Sequence, residues 1–357
     1  MAAIDRRDFV KGAAVLGATA VMTGISGCAS SHDIQPPQFP GQAYMEDKQS
    51  QLEAAQAEAE KNGIDTTPRG HVSTANSTPG GSPVYYTEDI SAEGLLAVFE
   101  ALEWQPVGKV AVKLNMGEWG NQNFLDPELL KPLVEEVDGT FADSTALFYS
   151  RTTAEGYRDV AEKHGYTYAP VDILDEEGGI DLPVSGGMQI ESVEVGSHYL
   201  DYGSVVSAAH FKGHRMAGFG ATFTNIGMGF ATYNAKMTLH GPVFEAGEPF
   251  LSRLTEYAKG VFDDLGPNIA CVNVLNNLSV DCDCEANASK PVMADIGIMA
   301  SLDPVALDRA SLDQIYLSED RGAIMMKSRI ESLDGAFLLD YAEKLGLGSQ
   351  TYELVAV

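Results

Sequence analysis

The feature that most narrows the fold of this chain is an alternation of two hydrophobic periods. Lys109-Val110-Ala111-Val112-Lys113-Leu114 is a short apolar run of strand type, and about a dozen residues later Pro127 to Val137 repeats Leu and Val at helical spacing. The pattern recurs as a strand within Gly139 to Tyr149, an amphipathic stretch from Thr153 to His164, and a short strand at Asp172-Ile173-Leu174. Further strands are expected at Gln189 to Val195, Ser204 to Ala209, Ile269 to Leu275 and Asp295 to Ala300. After the last of these, Asp303 is placed to cap a helix whose first residue is Pro304. Strands alternating with helices of about ten residues build α/β folds, with a mainly parallel sheet and flanking helices. In such sheets ligands gather in a crevice at the carboxyl ends of strands. Reactive side chains that follow a strand are therefore the candidates for a site.

Ahead of this body the chain has another character. Asp5-Arg6-Arg7-Asp8-Phe9-Val10-Lys11 places Arg6 and Arg7 before an aromatic residue and a lysine, and an apolar run rich in Gly and Ala follows from Gly12 to about Gly24. This resembles a twin-arginine (Tat) export signal, and the run is too short for a spanning helix. Ile25-Ser26-Gly27-Cys28 resembles a lipobox, with Cys28 lipidated after cleavage. Residues 1–28 are thus expected to engage the Tat export machinery. The product would be a cell-envelope lipoprotein, anchored through Cys28 on the outer side of the cytoplasmic membrane. Tat export resembles a route for proteins folded beforehand, commonly with a cofactor in place.

Residues 29–83 read as a tether: Pro36, Pro37 and Pro40 open it, Met45 to Gly63 is rich in helix formers without an apolar face, and Thr66 to Pro83 is low in complexity. The folded body is expected over residues 84–357. A formal net charge of −28 argues against nucleic acid as a partner of that body, because such partners reward clustered Lys and Arg.

Three of the seven histidines, His210, His214 and His240, fall in "HFKGHRMAGFGATFTNIGMGFATYNAKMTLH", together with Lys212, Arg215 and Lys236. Gly213, Gly218, Gly220, Gly227 and Gly229 crowd its first twenty residues. Glycine at this density lets backbone approach a ligand and lets N–H groups converge on an anion; it also makes compact turns. The spacing is that of neither a phosphate loop nor a dinucleotide fingerprint. His210 and His214 are four apart, the separation of zinc-binding pairs on helices, but a strand precedes them and Gly213 interrupts them. Histidines suit proton transfer near neutral pH, and equally serve as hydrogen-bonded structural residues.

With Cys28 set aside, the body holds Cys271, Cys282 and Cys284, an odd number that excludes complete internal pairing. "SVDCDCE", Ser279 to Glu285, surrounds the last two with carboxylates, which disfavour a free thiolate. A disulfide between Cys282 and Cys284 would be strained, whereas one from Cys271 to either is feasible. The other reading is metal ligation, in which the cation overrides the acidic neighbours. Three thiolates are one short of the usual four-cysteine cluster, so His or Asp would complete the shell or a position would stay open.

These residues together resemble a known family. "HFKGH", "GFG", "TNIGMG", "AK" and the final histidine of the first segment, then "DCDC", "KP", "ADIGI" and "ASLDPVALD", are similar to the family named for a domain of unknown function, DUF362, over roughly Lys109 to Tyr316. The resemblance implies an iron–sulfur association, although the ferredoxin-type cysteine repeats of many members are missing here. The implied cluster would use Cys282 and Cys284, helped by Cys271 or a histidine. His214, position 224 and His240 also have the spacing H-x9-K-x15-H of the catalytic region of nickel-dependent lactate racemases, where the lysine anchors the cofactor. Thr224 occupies the lysine position, which removes covalent anchoring.

The leading expectation is an exported, membrane-anchored protein that binds a metal or an iron–sulfur cluster, with redox chemistry on a small organic substrate, and an unknown redox partner, as its further extension. His210, His214 and His240 would handle protons, and Lys212 and Arg215 would hold an anionic group. Gly218, Gly220, Asn225, Gly227 and Gly229 would border the cofactor. The alternatives are a non-catalytic lipoprotein that binds a metal or an anion, and a zinc- or nickel-dependent isomerase or hydrolase.

Overall fold

A computed structural model describes residues 70–357, together with the helical positions Ser50, Ala54, Ala57 and Lys61. Arg6, Arg7, Cys28 and most of the expected tether lie outside the described residues. The chain runs β1 (Ser82–Thr87), α1 (Ala92–Glu100), β2 (Val110–Lys113), α2 (Pro127–Glu136), β3 (Gly139–Asp143), α3 (Ala154–Lys163) and β4 (Val171–Ile173). A hairpin of β5 (Gly179–Pro183) and β6 (Ser192–Gly196) precedes β7 (Ser204–His210), and a second of β8 (Lys212–His214) and β9 (Gly218–Gly220) follows it. Next come α4 (Thr222–Phe230), α5 (Tyr233–His240), α6 (Glu248–Leu265), β10 (Ile269–Leu275) and β11 (Gly297–Ser301). The chain closes with α7 (Pro304–Leu317), α8 (Ala323–Glu331), α9 (Phe337–Lys344) and β12 (Tyr352–Ala356).

The main sheet has eight strands in the order β12-β1-β11-β10-β7-β2-β3-β4. Strands β10, β7, β2, β3 and β4 pair in parallel, and β11 runs antiparallel between β10 and β1. This is the expected α/β architecture, with a mainly parallel sheet and helices on both faces. Alternation along each strand feeds two cores. Val110 and Val112 of β2 pack with Leu95, Leu130 and Tyr157 on one face. Ala111, Ala142 and Cys271 face the other core, with Phe223, Leu254 and Val305. Among the described residues no helix is long and apolar enough to cross a membrane.

Local chemistry explains where the elements begin. Asp126 accepts from the Glu128 N–H ahead of Pro127, and Asp303 accepts from the Val305 and Ala306 N–H groups at 3.0 Å, as its position before Pro304 predicts. Two strands are shorter than expected for a stated reason. The N–H groups of Gln189 and Ile190 donate to the buried Glu256 carboxylate rather than to a strand, so β6 starts at Ser192. Asp295 accepts the Asn277 N–H, and β11 starts at Gly297. Part of the stretch read as a tether packs on the body: Val72 is buried, Ser73 N–H donates to Gln314, and Thr78 N–H donates to the Tyr352 carbonyl.

Asp308 caps a different helix from its own. It lies inside α7 and accepts the Thr222 and Phe223 N–H groups, anchoring the start of α4. Asp308→Ala leaves both donors buried without an acceptor and is expected to cost about 2–4 kcal/mol. Urea denaturation should show a lower midpoint at unchanged slope. A loss below about 0.5 kcal/mol, the range of ordinary surface changes, would mean that this anchor does not hold α4.

Candidate metal centre and its cavity

The loop after β10 is drawn onto the β8–β9 hairpin by a close backbone approach. Gly213 N–H donates to the Ser279 carbonyl at 2.7 Å, and a Cβ at Gly213 would lie 2.3 Å from the Val280 carbonyl oxygen. Only glycine permits this contact, and it sets Cys282 and Cys284 beside His214. The ligand atoms of these three residues lie within 4.8 Å of one another. Cys284 N–H donates to Cys282 Sγ at 3.3 Å. His214 Nδ1 accepts from the N–H groups of Met216 and Ala217, which places the ring proton on Nε2. The Cys284 thiol donates to Cys282 and, against the cost of burial, holds its thiol well below the usual range; His214 and Lys212 add to the effect. Cys284, sharing that proton and buried, is pushed up.

The carboxylates of "SVDCDCE" do not act as their order in the chain suggests, because each meets a cation from elsewhere. Asp281 contacts Arg215 Nε at 3.2 Å and Arg329 Nη2 at 3.4 Å. Asp283, fully buried, receives His210 Nδ1 at 2.9 Å and Lys212 Nζ at 3.0 Å. Glu285 lies 3.6 Å from Arg215 Nε and accepts from the Tyr149 hydroxyl. Burial works against the charge of Asp283, but His210 and Lys212 hold its carboxyl down at about 2.

Beside the three donors is a cavity of about 150 Å³ at the carboxyl ends of the central strands. Lys113 and Asp143 are the last residues of β2 and β3, and both line it. Lys113 Nζ is 3.1 Å from Asp143 Oδ1 and donates to Asn225 Oδ1 at 2.9 Å. Burial pushes its amine down to about 8, even against the pull of Asp143. Asp143 also accepts a very short hydrogen bond from the Tyr157 hydroxyl, and Arg151 donates to Tyr157 at 2.9 Å and to Glu118 at 3.1 Å. Lys236 spends its donors on the Ser144 carbonyl and hydroxyl and the Thr145 carbonyl; burial lowers its pKa. His240, between Phe244 and Phe250, donates from Nδ1 to the Lys236 carbonyl at 2.6 Å. Burial brings it down to about 4, so it is neutral with Nε2 free to accept.

Most of the residues predicted from sequence converge here. His214, His240, Lys212, Arg215, Asn225, Gly229, Cys282 and Cys284 all line the cavity. His210 does not. Its Nδ1 faces Asp283, its Nε2 donates to the Asn276 carbonyl at 2.6 Å, and it is 2% exposed, so it positions the loop and is not placed to exchange protons with a ligand. Gly218 and Gly220 form β9, and a Cβ at Gly227 would meet the Leu254 carbonyl across the α4–α6 contact; their role is packing. Cys271 is the second correction. It sits mid-strand in β10, buried between Ser207 and Ser301, outside the donor group and free of any disulfide, as are Cys282 and Cys284. Sequence reading passed over Lys113, Asp143, Arg151, Tyr157 and Glu118. The available signal was a charged residue closing an otherwise apolar strand, in both β2 and β3.

Comparison with known proteins adds the following. The model of the family described as "Domain of unknown function (DUF362)" matches residues 110–313. No curated protein matches the chain. Among solved structures, the lactate racemase apoprotein from Thermoanaerobacterium thermosaccharolyticum is 13% identical with a TM-score of 0.37, over 69% of this chain and 60% of that one. A structural-genomics protein from Thermotoga maritima is 13% identical with a TM-score of 0.39, over 65% of this chain and 60% of that one. The chain thus spans about 60% of the length of either structure.

The ion pairs of Asp283 should be visible in stability. A carboxyl held below its ordinary value contributes stability that is whole above about 3.8 and is lost as pH falls toward about 2. Asp283→Asn breaks a buried pair from one side and is expected to cost about 3–5 kcal/mol at neutral pH. It should also flatten the acid limb of a stability–pH curve in that window. An acid limb identical to wild type would show that Asp283 does not carry it.

Proposed function

The chain belongs to the DUF362 family, and we propose that it is an exported metalloenzyme acting on a small organic anion. In this reading Cys282, Cys284 and His214 hold one metal ion at the cavity wall. The observation that carries it is the convergence of two sulfurs and an imidazole within 4.8 Å, beside a cavity lined by five basic side chains, Lys113, Arg151, Lys212, Arg215 and Lys236. The carboxylates that balance Arg151 and Lys212 are not among the lining residues, whereas Asp143 and Glu285 are, which leaves five basic side chains against two carboxylates around the space. Such a surface favours an anion.

The donor set fits a single ion. Sulfur with imidazole suits zinc, nickel or iron, and three protein donors leave one position for another ligand. The two thiols must release their protons to bind, and His214 would bind as a neutral imidazole through Nε2 once its ring proton moves to Nδ1, which gives up the bonds from the Met216 and Ala217 N–H groups. An iron–sulfur cluster ordinarily takes four protein ligands, and among the described residues Cys271 stands apart. The donors therefore favour a Lewis-acid centre over a cluster carrying electrons. A bound ion would polarise an oxygen of the substrate. The chain's own groups do the rest: the basic side chains hold the anion, neutral His240 accepts a hydrogen bond at Nε2, and Leu147, Phe148 and Met216 give the space an apolar side. Arg6, Arg7 and Cys28 support Tat export and lipid anchoring at the outer side of the cytoplasmic membrane.

Protein purified without air should carry one equivalent of a single transition metal and no acid-labile sulfide. Cys282→Ser and Cys284→Ser should each lose it, and His214→Ala should weaken it. Iron with stoichiometric sulfide would replace the single ion by a cluster, and metal retained in both cysteine variants would overturn the site. For the cellular setting, Cys28→Ser should move the protein from the membrane to the soluble fraction of the envelope; unchanged membrane association would remove the lipid anchor.

A further inference from the structure

Lys113 is not among the metal donors, yet the fold goes to some length to place its amine. A Cβ at Gly229 would lie 1.7 Å from Lys113 Cε and 2.0 Å from Nζ, so the lysine reaches the cavity only through a slot that α4 leaves open. Asn225 is locked to receive it: Nδ2 donates to the Lys113 carbonyl and to Ser207 Oγ, which turns Oδ1 toward Nζ. Asp143, itself held by Tyr157 and the Ser144 N–H, takes a second position on the amine. The third position of an ammonium group is not taken by either partner. A lysine serving only as counter-ion to Asp143 would not require this slot or the oriented amide.

We propose that Lys113 is a carbonyl-reactive amine, and that the anion taken by the cavity is a small oxo acid which forms an imine at Nζ. The inference deepens the reading of the cavity as a substrate site but does not depend on the metal. The neutral amine's lone pair adds to the carbonyl carbon, and the carbonyl oxygen takes a proton. The carbinolamine then expels water, so that the two hydrogens of the amine and the carbonyl oxygen leave together and a C=N bond remains. No oxidant or reductant is consumed. Asp143 accepts a proton from the amine and can return it, and the neighbouring cations Lys212 and Lys236 bear on the carboxylate of the acid. Burial supports the role: at neutral pH an amine titrating at about 8 is free in roughly one molecule in ten, against about one in three thousand for an ordinary lysine.

The test treats the purified full chain with pyruvate and cyanoborohydride, which reduces an imine to a stable secondary amine, and maps the adduct by peptide mass spectrometry. One equivalent at Lys113 is expected. Its rate should rise through about pH 8, and propionate, an acid without a carbonyl, should slow it. Lys113→Arg keeps the cation and should abolish the specific adduct. Because that variant could disturb folding, wild-type mapping and its pH profile stand by themselves. No adduct, or adducts only at surface lysines, would overturn the proposal; labelling indifferent to propionate would overturn the substrate class. Metal content measured on the same sample keeps the two readings apart: an intact metal with an unlabelled Lys113 sinks the amine alone.

Discussion

A buried carboxylate between the two cysteines is the interaction on which the site depends. Asp283 has no exposed surface, and its two partners come from different places: His210 ends β7 and Lys212 begins β8. Its own backbone carbonyl accepts the Glu118 N–H from the segment after β2. One residue thus ties the cysteine loop to the sheet, the hairpin and the neighbouring crossover. Because Cys282 and Cys284 are its chain neighbours, fixing Asp283 fixes them. The cost of burying the charge is offset only while both partners stay, which makes the arrangement all-or-none.

The alternation of apolar periods made most of the architecture legible, because period 2 and period 3.6 reflect which faces are buried. It also pointed to the place of the candidate site, since the His/Gly and Cys segments follow β7 and β10. What stayed hidden depended on contacts distant in sequence. The acidic flanks of Cys282 and Cys284 suggested a suppressed thiol, but Arg215, Arg329 and Lys212 neutralise them across tens of residues. Cysteine counting offered Cys271 as a ligand, whereas strand alternation sends it into the core beside Val305. Glycine density suggested anion binding. What each glycine actually meets is backbone or a lysine stem, as at Gly213 and Gly229.

The two sides of the cavity are built differently. Lys113 and Asp143 end neighbouring parallel strands, so their separation is set by the sheet itself, with β7 and β10 on the other side of β2. Groups on central strands are held more firmly than groups on loops. The sulfur donors sit on a loop and owe their place to the Asp283 ion pairs and the Gly213 contact. Proton release on metal binding and any charge change at Asp283 therefore bear first on the loop side, and reach Lys113 through the field of Lys212.

Burial links the two sides even so. The same exclusion of water that lowers Lys113 and His240 also concentrates the field of Lys212 on the cysteines. A small anion entering the cavity would replace the solvent those cations lack and would meet polar groups already oriented by Asp143, Asn225 and Asp283. In the proposed reaction little reorganisation would then be left, which is the usual source of catalytic advantage in a preorganised polar site. The ion pairs in and behind the wall are what make this possible, because without them five basic side chains could not be kept so close to one another around a cavity of about 150 Å³.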